Sequence, residues 1–324
     1  MGRNYRIDHR LSGRAENVHN AWDNGLSPRL TIDPGETVRF ECPVGFDGRV
    51  DVETTAEEFH ADFEATGHNL VGPVAVRGAE PGDVLEVDLL EVQHRGWGHT
   101  FFRPGEEGLG LLPEEFPDPG FHVWDLDGDV GRFVDGIEIP LDPFPGNLGV
   151  APAEDGSHST VPPRNVGGNL DVRQLTAGST AFFPIEVAGA LFSVGDGHAA
   201  QGDGEVCLSA IETPLFVTAR LSVRSDRPLE RPQFRTAPRE RPPERESTYV
   251  TTGIGNDLQA AARTAVGDMI DHLHEHRGLD RSDAYILCSV AVDLRISEIV
   301  NRPNWVVSAH LPEGIFPDGD REMT

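Results

Sequence analysis

The chain contains no lysine. All 27 of its basic residues are arginine, against 54 Asp and Glu, for a formal net charge of -27. Arginines so few and so dispersed build no basic face, which excludes nucleic acid and an anionic membrane surface as partners. Cysteine is nearly as scarce. Cys42, Cys207 and Cys288 are far apart, odd in number and without CxxC spacing, which excludes a disulfide framework and a zinc ribbon. Cys288 sits in the apolar run AYILCSVAV and reads as a core thiol. Long hydrophobic runs are missing too, none approaching the roughly 20 residues of a membrane span. The opening MGRNYRIDHRLSGRAEN holds no apolar stretch of a secretory signal, so a cytoplasmic location is expected. GxSxG, P-loop, HExxH and a GxGxxG after a strand are all absent.

What is present begins with the acidic residues, which are scattered and form no tail. Such a surface suits concentrated salt, where the Debye length falls to roughly 3 Å at 1 M and carboxylate repulsion is screened. The alternative is acidity that serves solubility alone. Gly 36 and Pro 25 are high for a helical protein and point to many turns and short strands. RLTIDPGETVRFEC (29–42) and VAVRGAEPGDVLEVDLLEV (74–92) each read as strand, tight Pro-Gly turn and strand. Residues 95–145 read as a loop-rich stretch studded with aromatics. VRQLT, STAFFPIEV, ALFSV, EVCLSAIET and LFVTARLSV read as further strands. The Arg/Pro-rich segment 225–247 reads as an extended surface connector.

Helical signals come last. Asn256-Asp257 caps a helix to about His276, closed by Gly278. Ser282-Asp283 caps a second through AYILCSVAVDLRISEIV. The fold class is therefore mainly β, with a small α/β C-terminal part. The expected division is a body over 1–224, the connector over 225–247 and a helical α/β part over 248–324.

The densest chemistry lies in SVGDGHAAQGDGEV (193–206). Its glycines let Asp196, His198, Gln201, Asp203 and Glu205 converge in a loop between two strands. Carboxylates and imidazole suit a divalent ion such as Zn²⁺. A solvated Asp/Gly turn is the plainer alternative. A second group, PPRNVGGNLD (162–171), offers Asn169 and Asp171, and a third, HNAWD, offers His19. His272, His274 and His276, two apart on a helix, point in different directions and make no three-His site.

These strings resemble the acetamidase/formamidase family. The resemblance runs through HNAWDNGLSPRLTIDPGETVRFE, GPVAVRGAEPGDVLEVDLLEV and PPRNVGGNLDVRQLTAGSTAFFPIEVAGALFSVGDGHAAQGDGEVCLSAIE to the C-terminal AYILCSVAVDLRISEIVNRPNWVVSAHLPEGIF. It implies a β-sandwich-rich fold and hydrolysis of small amides to acid and ammonia. On that reading a divalent metal, Zn²⁺ first and Ca²⁺ second, activates a water. Asp171, Asp196 and His198 are its ligands, Glu205 is the general acid/base, and Asn169 or His19 orients the substrate. Two other readings are a hydrolase of a ureido or carbamoyl C–N bond, and a Ca²⁺-stabilised β-sandwich binding protein. A homo-oligomer, most simply a dimer, is expected from the apolar C-terminal stretch IVNRPNWVVSAHLPEGIF.

Overall fold

Short alternating runs between Gly- and Pro-rich turns form strands throughout the body. The computed structural model describes residues 5–45, 50–61, 67–105, 110–162, 164–225, 229, 232–235, 248–298 and 305–317. In chain order the strands are β1 (His9–Leu11), β2 (Val18–His19), β3 (Ala21–Trp22), β4 (Leu30–Ile32) and β5 (Thr37–Cys42). Helix α1 (Ala56–Ala61) precedes β6 (Leu70–Val76), β7 (Val84–His94), β8 (Trp97–Phe102), β9 (Gly120–Asp127), β10 (Val130–Arg132) and β11 (Glu138–Pro140). Then come β12 (Phe144–Gly149), β13 (His158–Ser159), β14 (Gly167–Asn169), β15 (Thr180–Pro184), β16 (Phe192–His198), β17 (Leu215–Arg224) and β18 (Gln233–Arg235). The C-terminal part holds β19 (Thr248–Gly255), α2 (Leu258–Arg277), α3 (Arg281–Ala291), β20 (Asp293–Glu298) and β21 (Trp305–Pro312).

Two six-stranded sheets form the sandwich. One has the order β1-β5-β17-β7-β15-β18, the other β14-β12-β16-β6-β2 with β4 joined to β6. Phe40, Val87, Phe183 and Val217 of the first meet Val71, Val74, Leu148, Phe192 and Val194 of the second in one buried core. At about 25 cal/mol per Å² of apolar area removed from water, this contact is the main stabilising term of the body.

The two Pro-Gly turns form as the residues demand. Glu36 N–H donates to Asp33 O at 3.2 Å and Asp83 N–H to Glu80 O at 3.0 Å, with Gly35 and Gly82 at φ 90 and 98. They do not close hairpins. β4 pairs with β6 whereas β5 pairs with β1 and β17, and β6 pairs with β16 whereas β7 pairs with β15 and β17. Each turn carries the chain from one sheet to the facing one. A turn fixes where the chain reverses, while the partner is set by which apolar faces meet across the core.

Other expectations are corrected as well. The stretch 95–145 is largely a sheet, β11-β10-β9-β8, whose Trp124, Phe102 and Ile139 are buried. VRQLT (172–176) and EVCLSAIET (205–213) are irregular apart from a bridge at Glu212. Side-chain bonds such as Cys207 N–H to Ser289 Oγ and Tyr285 O–H to Val206 O, with isolated backbone bonds such as Leu175 N–H to Val172 O, satisfy their backbone instead of a ladder. Within the connector, β18 pairs with β15, and residues 226–228, 230–231 and 236–247 lie outside the described residues.

Helix α2 starts where Asp257 accepts the Ala260 N–H at 2.7 Å and stops at Gly278, φ 67. Helix α3 is shorter than its apolar run suggested. Its N-cap is Asp280 and it ends at Ala291, after which Val292, Leu294 and Ile296 alternate and the chain enters β20. The sheet β19-β21-β20 and both helices share a second core with Trp124, Phe102 and Val206 of the body. His272 stacks on Tyr249 at 3.6 Å and touches His276, ring centroids 4.9 Å apart, while His274 Nδ1 bonds Leu279 O, so the three histidines of α2 do not converge on one point. All three cysteines are free and buried. Among the described residues no helix is long and apolar enough to cross a membrane.

Candidate active site

The centre of the site is a buried imidazole. His198 ends β16, with its side chain 1% exposed. Its Nδ1 lies 2.9 Å from Gln201 Oε1, and Gln201 Nε2 donates to Asp171 O at 2.9 Å. Because an amide oxygen only accepts, Nδ1 carries a hydrogen and Nε2 is turned toward the carboxylates. Glu212 Oε1 stands 3.3 Å from Nε2, Asp196 Oδ2 3.6 Å and Glu205 Oε1 3.9 Å, while Asp171 Oδ1 is 3.9 Å from Nδ1. His68 Nε2 also lies 3.8 Å from Asp196 Oδ2. The carboxylate side chains are 9 to 19% exposed, and the imidazole they surround is 1% exposed.

Local backbone explains this convergence. Asp196 and His198 lie two apart at the end of β16 and meet at 3.6 Å, Asp196 Oδ2 to His198 Nε2. Asp171, Asp196 and Glu205 take positive φ of 48, 55 and 42, conformations that turn their side chains out of a regular ladder. Asp196 is thus on a strand and not in the loop expected for it. Gly146, on neighbouring β12, faces the cluster. A Cβ there would stand 2.5 Å from Asp171 Oδ1, 2.6 Å from His198 Cε1 and 2.9 Å from Asp196 Oδ2. The glycine leaves a space where three donor groups meet.

Charge in this space needs compensation. Two like charges 4 Å apart repel by about 4 kcal/mol at an effective dielectric of about 20. Burial, reinforced by Asp196 and Glu212, pushes Asp171 up to about 7 although His198 opposes it. Burial and then Asp171 raise Glu205 well above the carboxylate range. Burial would raise Asp196 as well, but His68 and His198 override it and hold it well below its usual value. Burial would lower His198, but Glu212 and Asp196 drive it well above an ordinary histidine. The site gathers protons where a cation is not supplied.

The donors fit a divalent ion. Asp171, Asp196 and His198 form one group of ligand atoms within 4.8 Å of one another, and His198, Glu205 and Glu212 form a second. Asp171 Oδ1, beside Gly146, is buried without a hydrogen-bond partner.

Of the residues picked out in the sequence, Asp171, Asp196, His198 and Glu205 come together. Asn169 stands beside them, its Oδ1 accepting from Asn147 Nδ2 at 3.3 Å. His19 lies elsewhere. Its Nδ1 bonds Ala21 O and its Nε2 Ser193 Oγ at 2.9 Å, and it lines a separate cleft of ≈ 470 Å³. Glu212, His68, Asn147 and Gly146 were not picked out. Glu212 reads in sequence as the end of a strand, and nothing local marks His68.

These features define a class: a β-sandwich hydrolase with a buried carboxylate–imidazole centre. The profile of the acetamidase/formamidase family matches residues 5–158 and 153–318, and the chain belongs to that family of amide hydrolases. It is 31% identical to an acetamidase of Mycolicibacterium smegmatis over 66% of this chain and 68% of that protein. It is 27% identical to a formamidase of Methylophilus methylotrophus over 92% of this chain and 89% of that one. Among solved structures, a gamma lactamase from Delftia acidovorans is similar with a TM-score of 0.89 and 28% identity, over 98% of this chain and 95% of that one. An acetamidase from Bacillus halodurans is similar with a TM-score of 0.66 and 31% identity, over 94% and 97%.

Proposed function

We propose that the chain hydrolyses small linear amides of the formamide and acetamide type to carboxylate and ammonia at the cluster around His198. One observation carries the location: four carboxylates converge on an imidazole whose Nδ1 hydrogen is committed to Gln201. Asp171, Asp196 and His198 would hold a divalent ion. Zn²⁺ suits the mixed nitrogen–oxygen donors, and Ca²⁺, which takes six to eight oxygens, suits them less. When bound, such an ion supplies Lewis acidity to an amide carbonyl.

The protein's own groups move the protons. Glu205, with its raised proton affinity, collects the proton of the attacking water and passes it to the nitrogen as the C–N bond breaks. Gln201 fixes the ring of His198. Asn147 Oδ1, buried and without a partner, accepts from the substrate NH₂, and Asn169 keeps Asn147 in place. His19, bonded to Ser193, takes no part.

The likeness to a gamma lactamase favours a second reading on the same site, in which the amide is cyclic and opens without releasing ammonia. The test is turnover on formamide, acetamide, a simple urea and a γ-lactam, with metal analysis of each variant. His198→Ala is expected to lose ion and turnover together. Glu205→Gln is expected to keep the ion and lose roughly 10²-fold in turnover. A His198→Ala protein with full metal and normal turnover would overturn the assignment, and metal lost from Glu205→Gln would make Glu205 a ligand.

A further inference from the structure

The loop that delivers Gln201 and Glu205 is anchored to the C-terminal part. Gly202 N–H donates to Ser289 O at 2.9 Å, and Leu294 N–H donates to Asp203 O at 2.7 Å. A Cβ on Gly202 would lie 1.9 Å from Val292 O, so only glycine allows this approach. The side chain of Asp293, at the start of β20, ties the same loop from two directions. Its Oδ1 accepts the Asp203 N–H at 3.2 Å, and its Oδ2 accepts from Arg173 Nη2 at 3.2 Å. Arg173 follows Asp171 by two positions. Its Nη1 donates to Gln201 O at 3.1 Å, and its Nε lies 3.4 Å from Asp203 Oδ1. Arg295 Nη2 also reaches Asp293 Oδ2, at 3.2 Å, and Gln174 Nε2 reaches Asp203 Oδ1, at 3.2 Å.

Resting on the amidase reading of the site, we propose that Asp293, acting through Arg173, is a positioning residue for the reaction. The pair fixes the 201–205 loop so that Gln201 meets His198 and Glu205 reaches Nε2. Neither side chain contacts the carboxylate cluster. Asp293 is 11% exposed and Arg173 24%. Removing Asp293 takes away one of the two carboxylates that face Arg173 and the acceptor of the Asp203 N–H, so the loop between them loses its tie to β20 and yields. A shift of about 1 Å at a catalytic group is enough to cost roughly 10²-fold in rate. Substrate binding, which uses other groups, is left in place.

The experiment compares Asp293→Ala, Asp293→Asn and Asp257→Ala in the full chain. Asp257 caps α2 away from the loop and serves as a control for lost stability. Two readouts are taken: kcat and KM for ammonia release, and amide hydrogen exchange over residues 202–206. Asp293→Ala is expected to lose about tenfold or more in kcat with little change in KM, and to exchange faster over 202–206. Asp293→Asn, whose side-chain oxygen still accepts the Asp203 N–H, should fall between it and the wild type. Asp257→Ala should keep wild-type kcat and wild-type exchange over 202–206. Unchanged exchange in Asp293→Ala overturns the proposal, as does a kcat loss shared by Asp257→Ala. Should Asp293→Ala not fold, Asp293→Asn with wild-type exchange and kcat also overturns it. A wild type inactive on every amide sinks the functional reading alone, and the exchange result then decides the anchoring by itself.

Discussion

His198 and its carboxylates hold protons or a cation, and the choice sets how stability follows pH. Without an ion, Asp171 titrates near 7 against an ordinary 3.8. Its folded form binds the proton more tightly than the unfolded one. That contribution to stability is complete below about pH 4 and is lost as pH rises through about 7. Glu205, also raised, acts in the same direction. Asp196 acts oppositely, but what it contributes is lost only as pH falls below its ordinary 3.8, outside this window. Buried His99 and His122, lowered to about 3 and about 4, act oppositely below their ordinary 6.5, so the variant is the measure: the metal-free wild type is expected to lose more melting temperature from about pH 5 to about pH 8 than Asp171→Asn does. An ion that binds the deprotonated set should add most at the higher pH. Melting curves with and without chelator check both, and equal slopes in the two proteins would remove Asp171 from the account.

At the scale of elements, the two Pro-Gly turns and the caps of α2 behave as their residues require. Asp257→Ala removes the bond to Ala260 N and should cost about 1 kcal/mol in urea unfolding, with activity retained. A change near zero would mean that packing of α2 against β19 and β21 sets the helix start. The failures at this scale share a cause. Residues 292–298 fit either helix or strand over so short a run, and pairing with β21 decides for the strand. The aromatics of 95–145 looked like loop decoration because glycine and proline interrupt them. Once Phe101 pairs with Phe121 and Trp97 with Asp125, they are facing residues of one sheet.

At the scale of the molecule, net charge governs how the fold responds to salt. A formal charge of -27 without lysine should make the protein lose structure on dialysis from molar salt to low salt, as screening is withdrawn. Circular dichroism that stays unchanged across that range would remove salt adaptation as the reason for the acidity. The apolar C-terminal stretch, from which a dimer is expected, has its Val307, Ala309, Leu311 and Ile315 buried within the chain. Among the described residues β20 is an edge strand, and its Ile296, 58% exposed, is the surface through which a dimer would pair. A mass of 35.3 kDa by light scattering in high salt would end it.

The sequence by itself determined whatever depends on neighbours along the chain. The Asp33-Pro34-Gly35 and Pro81-Gly82 reversals, both ends of α2, the acidic surface and the set Asp171, Asp196, His198 and Glu205 were legible there. Each follows from the conformational freedom or ligand chemistry of the residues themselves. Only the tertiary structure decided which strands pair across those reversals. It also brought His68 and Glu212 to the cluster, moved His19 out of it, and hung the 201–205 loop on Asp293. Those outcomes depend on apolar faces and charges meeting across long stretches of chain, and no local pattern records where they will meet.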